Sequence, residues 1–293
     1  MRHNARVRWL ITGASGFLGA NAVRVLCESG ENDVVGLVRS ADSAPWCPQT
    51  VVADLLNPDD VARALDQMQP DVVLHCAGMA NHHACHDDEA LAMRVNAEAS
   101  GVLAVASRGA RFIYISTDAV FSGERGWYAE DEAVSPNTAY GRSKAAGEQA
   151  VLAAHPSAVV ARTNFFGWSP SGHGSTLEFF VRELTAGNRV PGFVDYTVTS
   201  LFVEDVVGSI ELIAGSDEVG IFHVVSSDAL AKIDFGRAVA AEFGLNPSLI
   251  EEAKVGDGPK DLSLRSDRIA ALRGAPMPTQ AEGIARARES MQW

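Results

Sequence analysis

Short apolar blocks alternate along the chain with longer stretches in which apolar residues recur every three or four positions. Blocks lie at 7–11, 33–38, 50–53, 71–76, 111–115 and 158–162, rich in Val, Ile and Leu, and each predicts a buried strand. Between them, Leu18, Ala22, Val23, Val25 and Leu26 mark the apolar side of one helix. Pro58 opens a second helix to about residue 68, a third is expected over 88–107, and a fourth over 138–154. Strand and helix in strict alternation require a mostly parallel sheet with helices on both faces. The right-handed crossover then makes the sheet doubly wound. Past residue 165 the pattern weakens. A Gly/Ser/Pro tract at 168–175 and a loop at 256–260 are expected, with helices over 177–186, 204–213, 233–243 and 280–291 and strands over 200–203 and 220–225. These features divide the chain into a dinucleotide-binding domain over 1–165 and a small mixed substrate lobe over 166–293, with room for the two to interleave.

Composition narrows the function classes. Of 293 residues, 47% are apolar and 21% charged, as in a globular protein that buries a substantial core. The formal net charge of −13 argues against a sequence-independent grip on nucleic acid or an anionic membrane, while leaving room for a local basic pocket that holds an anionic small molecule. The N-terminal apolar run is broken by Arg8 and ends at Thr12-Gly13, too short for a secretory core, and no window reaches the length of a membrane span. Cys27, Cys47, Cys76 and Cys85 form no disulfide pattern, so a cytoplasmic location is expected.

Chemistry enters where strands end. The first strand runs into Gly13, Gly16 and Gly19, spaced G-x-x-G-x-x-G before a helix. Such glycines let a backbone turn approach a pyrophosphate at a helix N-terminus. The second strand ends in Arg39-Ser40, where an NAD site would carry an acid. An arginine there suits a 2′-phosphate, so NADP(H) is expected in preference to NAD(H). The fifth strand delivers Ser116-Thr117-Asp118, and the next helix carries Tyr140 and Lys144 one turn apart on one face. A lysine beside a phenol favours the phenolate, so Lys144 is expected to lower the Tyr140 pKa and make the pair a proton donor and acceptor. Thr117 offers a hydroxyl to a substrate oxygen. Asp118 reads equally as a turn former and as a substrate contact. His82, His83, Cys85 and His86 match no standard zinc spacing; no metal is expected, and the stretch reads as a polar loop near the cleft with His82 able to touch substrate.

Gly13-x-x-Gly16-x-x-Gly19, Asp54-Leu55, Thr117 and Tyr140-x-x-x-Lys144 together resemble the extended short-chain dehydrogenase/reductases. Ser116-Thr117-Asp118-x-Val120-Phe121-x-Gly123, Pro136-x-x-x-Tyr140-Gly141-x-x-Lys144-x-x-Gly147-Glu148, Arg162-Thr163, Val203-x-Asp205 and the tail from Asp261 to Arg268 look most like the dTDP-4-dehydrorhamnose reductase family. The resemblance implies a Rossmann fold and hydride transfer to a 4-keto group on a nucleotide-activated deoxysugar. It implies Tyr140 as the general acid, Lys144 tuning it and holding the nicotinamide ribose, and Thr117 on the same ketone oxygen. The Ser15 and Phe17 amides would join the glycines on the pyrophosphate, Asp54 and Leu55 would flank adenine, and Ala77 would approach the cofactor. Asn164 would reach the sugar nucleotide. Ala119 stands where related dehydratases carry a catalytic glutamate, which counts against dehydration. An NAD-retaining epimerase and a non-catalytic cofactor-binding regulatory subunit are the competing readings. Relatives of this type include dimers, so a homodimer is the assembly the resemblance allows.

Overall fold

The computed structural model describes residues 6–291 apart from His173, Asp257 and Pro259; the corresponding parts of the expected tract 168–175 and loop 256–260 lie outside the described residues. Six of the expected strands form, as β1 (Val7–Thr12), β2 (Asn32–Val38), β3 (Thr50–Val52), β4 (Val72–His75), β5 (Arg111–Thr117) and β6 (Val159–Thr163). They are joined through helices α1 (Phe17–Glu28), α2 (Pro58–Met68), α3 (His82–Asp87), α4 (Glu89–Met93), α5 (Ala99–Ala106) and α6 (Ala139–Ala154). Along β5 the period of two is plain. Phe112 and Tyr114 enter the core on one face, where Leu10, Val73 and Val160 join them under Val61, Leu103 and Val151. Ile113 and Ile115 enter the other, with Ile11, Leu74, Ala161, Leu18 and Val23.

The seven-stranded parallel sheet has the order β11-β6-β5-β4-β1-β2-β3, with β11 (Gly220–Val224) hydrogen-bonded to β6. The order reverses between β1 and β4, the switch point where open α/β sheets bind ligands beyond the carboxyl ends of their strands. β11 comes from the half of the chain expected to form the lobe, so a cut at residue 165 does not separate the sheet from the C-terminal half. The physical reason is that β6 otherwise ends the sheet with unpaired backbone, and a short apolar strand covers it. The remaining C-terminal elements are small: β7 (Phe165–Phe166), α7 (Thr176–Thr185), β8 (Val190–Phe193), β9 (Tyr196–Val198), β10 (Leu201–Phe202), α8 (Val203–Ala214), β12 (Leu230–Ala231), α9 (Lys232–Phe243), β13 (Ile250–Ala253), β14 (Lys260–Asp261), α10 (Asp267–Arg273) and α11 (Gln280–Glu289). β9 lies between β12 and β14 in a three-stranded sheet beside the carboxyl ends of β5 and β6. No described helix is long and apolar enough to cross a membrane.

Two expectations give way. The histidine-rich stretch is helix α3, because the Asn81 side chain accepts from the Ala84 amide and caps it. The single helix expected over 88–107 is broken by a π-helical segment, Arg94–Glu98, between α4 and α5. That wider turn seats Asn96 between β4 and α6.

Candidate active site

The glycine turn sits at the switch point. Gly13 takes a left-handed φ of 68°, and a Cβ there would stand 2.7 Å from the Ala77 amide nitrogen, so glycine is required on both counts. α1 begins with Gly16 as its N-cap, has no side chain accepting from its first amides, and carries no acid in its first turn. Those amides, from the region of Ser15, Phe17 and Gly19, are therefore open to an anion. A buried chain holds Ala77 against the turn. The Ala77 amide donates to Thr12 Oγ1 at 3.1 Å, and Thr12 lies 2.6 Å from His75 Nδ1. His75 Nε2 lies 2.9 Å from Ser100 Oγ, whose own proton goes to the Asn96 carbonyl. Burial holds the His75 pKa down to about 3, so the ring is neutral; Nε2 then carries the proton and Nδ1 accepts from Thr12.

Beyond β2, Arg39 and Ser40 are both exposed, and the Arg39 guanidinium makes no hydrogen bond or ion pair among the described residues. Asp54 is exposed after β3, where it accepts from the Leu56 amide at 2.9 Å, and Leu55 beside it is half-buried. An uncapped helix terminus and an unpaired arginine at the end of β2 fit the pyrophosphate and 2′-phosphate of a dinucleotide.

α6 starts at the Thr138 side chain, which accepts from the Gly141 amide at 3.0 Å. The Thr117 hydroxyl lies beside Tyr140 and donates to Asp118 Oδ1 at 3.0 Å. Burial pushes the Tyr140 phenol up to about 12; the neighbouring Thr117 hydroxyl opposes this and the Asp118 charge adds to it. The expectation that Lys144 lowers this pKa is therefore corrected. Lys144 is buried, donates to the Ile115 carbonyl at 2.7 Å, and lies 3.9 Å from the Tyr114 ring centroid. Burial pulls it down to about 7, opposed by the Glu148 charge. An ammonium turned toward the sheet does too little at the phenol to outweigh desolvation.

Beneath the pair runs a buried polar row. Ser116, Arg162 and His223 face one another in register across β5, β6 and β11. Glu148, one turn beyond Lys144, accepts from Ser116 at 2.5 Å and from Arg162 at 2.9 and 2.8 Å in a fork. His223 Nδ1 donates to the Arg265 carbonyl at 3.0 Å, leaving Nε2 to accept from Arg162 at 3.2 Å. Gly147 permits this packing, because a Cβ would lie 2.2 Å from the Asn96 carbonyl. Asn96 also binds both sides of the Met79 backbone and the Ser143 hydroxyl. Sequence reasoning missed Asn96, since the π-helical turn that seats it leaves no periodic signature.

A cavity of about 290 Å³ opens beside the pair, lined by His82, Ala119, Asn137, Thr138, Tyr196 and Lys260 among others. The His82 ring lies 4.7 Å from that of Tyr140, so this expected residue reaches the cleft. Asp118 is 4% exposed and burial raises its pKa; Asn164 donates to it at 2.7 Å and receives a 2.5 Å bond from Ser200. Both ends of the Asn164 amide are thus taken by protein partners, and its first effect is to orient Asp118. Tyr196 and Lys260 were not anticipated, because β9 and β14 are two or three residues long and carry no readable period.

Against known proteins, residues 7–292 match the family model described as the RmlD substrate binding domain. The chain is 33% identical over 288 residues to a probable low-salt glycan biosynthesis reductase, Agl14, of Haloferax volcanii, covering 94% of this chain and 95% of that one. It is 32% identical over 281 residues to the dTDP-4-dehydrorhamnose reductase of Mycobacterium tuberculosis, covering 91% and 87%. The crystal structure of dTDP-4-dehydrorhamnose reductase from Bacillus anthracis in complex with NADP superposes with a TM-score of 0.86 at 24% identity, over 98% of this chain and 99% of that one.

Proposed function

The chain belongs to the RmlD substrate binding domain family, and we propose on that premise that Thr117, Tyr140 and Lys144 carry the reduction of its ketosugar with NADPH as the preferred cofactor. It is an NAD(P)-dependent oxidoreductase acting on the 4-keto group of a sugar nucleotide. A bound nicotinamide supplies hydride to the carbonyl carbon. Tyr140, held as a phenol by its raised pKa, gives its proton to the carbonyl oxygen. Thr117, released from Asp118, donates to the same oxygen and holds it in line. Lys144 stabilises the phenolate left behind. Gly13, Ser15, Gly16, Phe17, Gly19 and Ala77 receive the pyrophosphate, Arg39 and Ser40 the 2′-phosphate, and Asp54 and Leu55 the adenine. Asp118 and His82 border the sugar, with Asn164 behind Asp118. A cytoplasmic homodimer completes the reading.

The observation that carries it is Tyr140, beside Thr117, placed 4.7 Å from the ring of His82, which lines the 290 Å³ cavity together with Ala119, a residue unable to take a proton. The test mixes purified protein with NADPH or NADH and a panel of dTDP-, UDP- and GDP-4-keto-6-deoxysugars, following nicotinamide absorbance. NADPH oxidation with one sugar is expected, falling about 10²–10⁴-fold in Tyr140→Phe, with Arg39→Ala narrowing the preference over NADH. Cofactor binding without oxidation of any sugar would favour the regulatory-subunit reading, and NAD retained through purification would favour the epimerase.

A further inference from the structure

An unbroken line of buried hydrogen bonds joins the glycine turn to the backbone of Tyr140, and every group in it points the same way. It starts at the Ala77 amide, which donates to Thr12 Oγ1 at 3.1 Å, and Thr12 gives its own proton to His75 Nδ1 at 2.6 Å. His75 Nε2 donates to Ser100 Oγ at 2.9 Å, and Ser100 donates to the Asn96 carbonyl at 2.9 Å. From the side chain of Asn96, Nδ2 donates to Ser143 Oγ at 2.9 Å, and Ser143 ends the line on the Tyr140 carbonyl at 2.9 Å. Each hydroxyl accepts one bond and donates one, so each link polarises the next.

The line crosses β1, β4, α5, the π-helical segment and α6. Thr12, His75, Asn96, Ser100 and Ser143 are each 1% exposed or less, so bulk water cannot stand in for a missing link. Holding the sheet together does not require the line, because Thr12 and His75 already stand in register in the parallel β1–β4 pair. Apolar side chains would fill the same space without the cost of desolvating polar groups. What the polar line adds is direction, since a hydrogen bond constrains both distance and angle where apolar packing does not. Its two ends are places whose separation matters for reduction. At one end Ala77 is packed against Gly13 of the glycine turn. At the other, Ser143 sits between Tyr140, whose carbonyl it holds, and Lys144, the next residue. We propose that His75, Ser100 and Ser143 are positioning residues, which hold the Tyr140 phenol at a fixed separation from the bound dinucleotide. This role rests on the reading of Tyr140 as the proton donor and of the glycine turn as the cofactor site.

The test breaks the line at either end, through residues that share no hydrogen-bond partner: Thr12→Val at the glycine turn and Ser143→Ala beneath Tyr140. Hydride transfer is followed in a single turnover with NADPH and a dTDP-linked 4-keto-6-deoxysugar both saturating, so that changes in affinity drop out. Each variant is expected to slow transfer about 10–100-fold, the scale of a small misplacement of reacting groups. Thr12→Ser, which keeps the hydroxyl, is expected to hold the wild-type rate. The double variant is expected to be no slower than the worse single one, because a line once broken transmits nothing further. Penalties that multiply would overturn the proposal, since sites that do not communicate act independently. A Thr12→Ser variant as slow as Thr12→Val would overturn it as well, because the hydroxyl would then not be what matters. Should the variants fail to fold, the nitrogen chemical shifts of His75 in the wild type decide. A proton on Nε2 is expected, and a proton on Nδ1 reverses the middle of the line and overturns the proposal. Normal rates in both single variants remove the positioning role alone. A wild type that oxidises NADPH with no 4-keto-6-deoxysugar strikes the reductase reading itself and takes this assignment with it.

Discussion

Burial acts on single side chains in opposite directions at the two ends of the Tyr140–Lys144 pair. The phenol is pushed up to about 12 and stays protonated across the working range, so it is a ready donor. The ammonium is pulled down to about 7, so it loses its proton as pH rises through neutrality. Reduction leaves a phenolate that needs the charged lysine. The kcat/KM for the ketosugar is therefore expected to be level below about pH 7 and to fall about tenfold per unit above it, as a single ionisation requires. Lys144→Arg, whose charge persists at high pH, should flatten that upper limb at a lower rate. A wild-type profile that stays level to pH 9 would reject Lys144 as the titrating group. The four-residue spacing of Tyr140 and Lys144 was legible because a helix places such residues on one face. The direction of the tyrosine shift was not, because it depends on how much water the fold removes from the phenol and on where the lysine points.

At the scale of elements, α6 is locked to the sheet through Glu148 and Arg162. The pair is almost wholly buried, at 4% and 2% side-chain exposure, and fully hydrogen-bonded. Removing one partner leaves a buried charge uncompensated, so Arg162→Met is expected to cost about 3–5 kcal/mol in urea unfolding. Glu148→Leu combined with Arg162→Met should recover most of that loss, since two apolar side chains leave no orphan charge. A double variant no more stable than the single one would show that the pair does not act as a unit. Gly147-Glu148 and Arg162-Thr163 are both visible in the chain as motif residues. Their meeting is not, because it depends on β5, β6 and β11 bringing Ser116, Arg162 and His223 into one row. The π-helical segment that carries Asn96 escaped notice for a related reason: a wider turn is set by what it packs against.

For the whole molecule, two buried neutral histidines tie stability to acid. His75 and His223 are each held down to about 3 by burial, with Lys144 and Arg162 respectively adding to the effect. The unfolded chain takes up protons below about pH 6.5 while the native rings do not, so stability is full above that value and is lost as pH falls toward about 3. Each histidine contributes a slope of about 1.4 kcal/mol per pH unit within that window. His75→Gln, which can keep hydrogen bonds to Thr12 and Ser100, is expected to show a shallower loss between pH 6 and 4 than the wild type in urea titrations. Equal slopes would mean that His75 takes its proton without unfolding.

What the sequence by itself determined is the part governed by local rules. Apolar blocks at a strand period and helices between them were enough for the doubly wound parallel sheet, and strand, glycine turn and helix in order were enough to place Gly13, Gly16 and Gly19 at its switch point. Thr117, Tyr140 and Lys144 stood out because a strand end and one helical turn define their relation without help from the rest of the chain. Only the tertiary structure decided what joins residues far apart in sequence. β11 returns from the C-terminal half to cover the edge of β6. Short strands β9 and β14 bring Tyr196 and Lys260 to the cavity. Elements of two or three residues hold their shape by what they pack against, and that packing leaves no period along the chain. Substrate recognition therefore lies where local pattern is weakest, and proton chemistry where it is strongest.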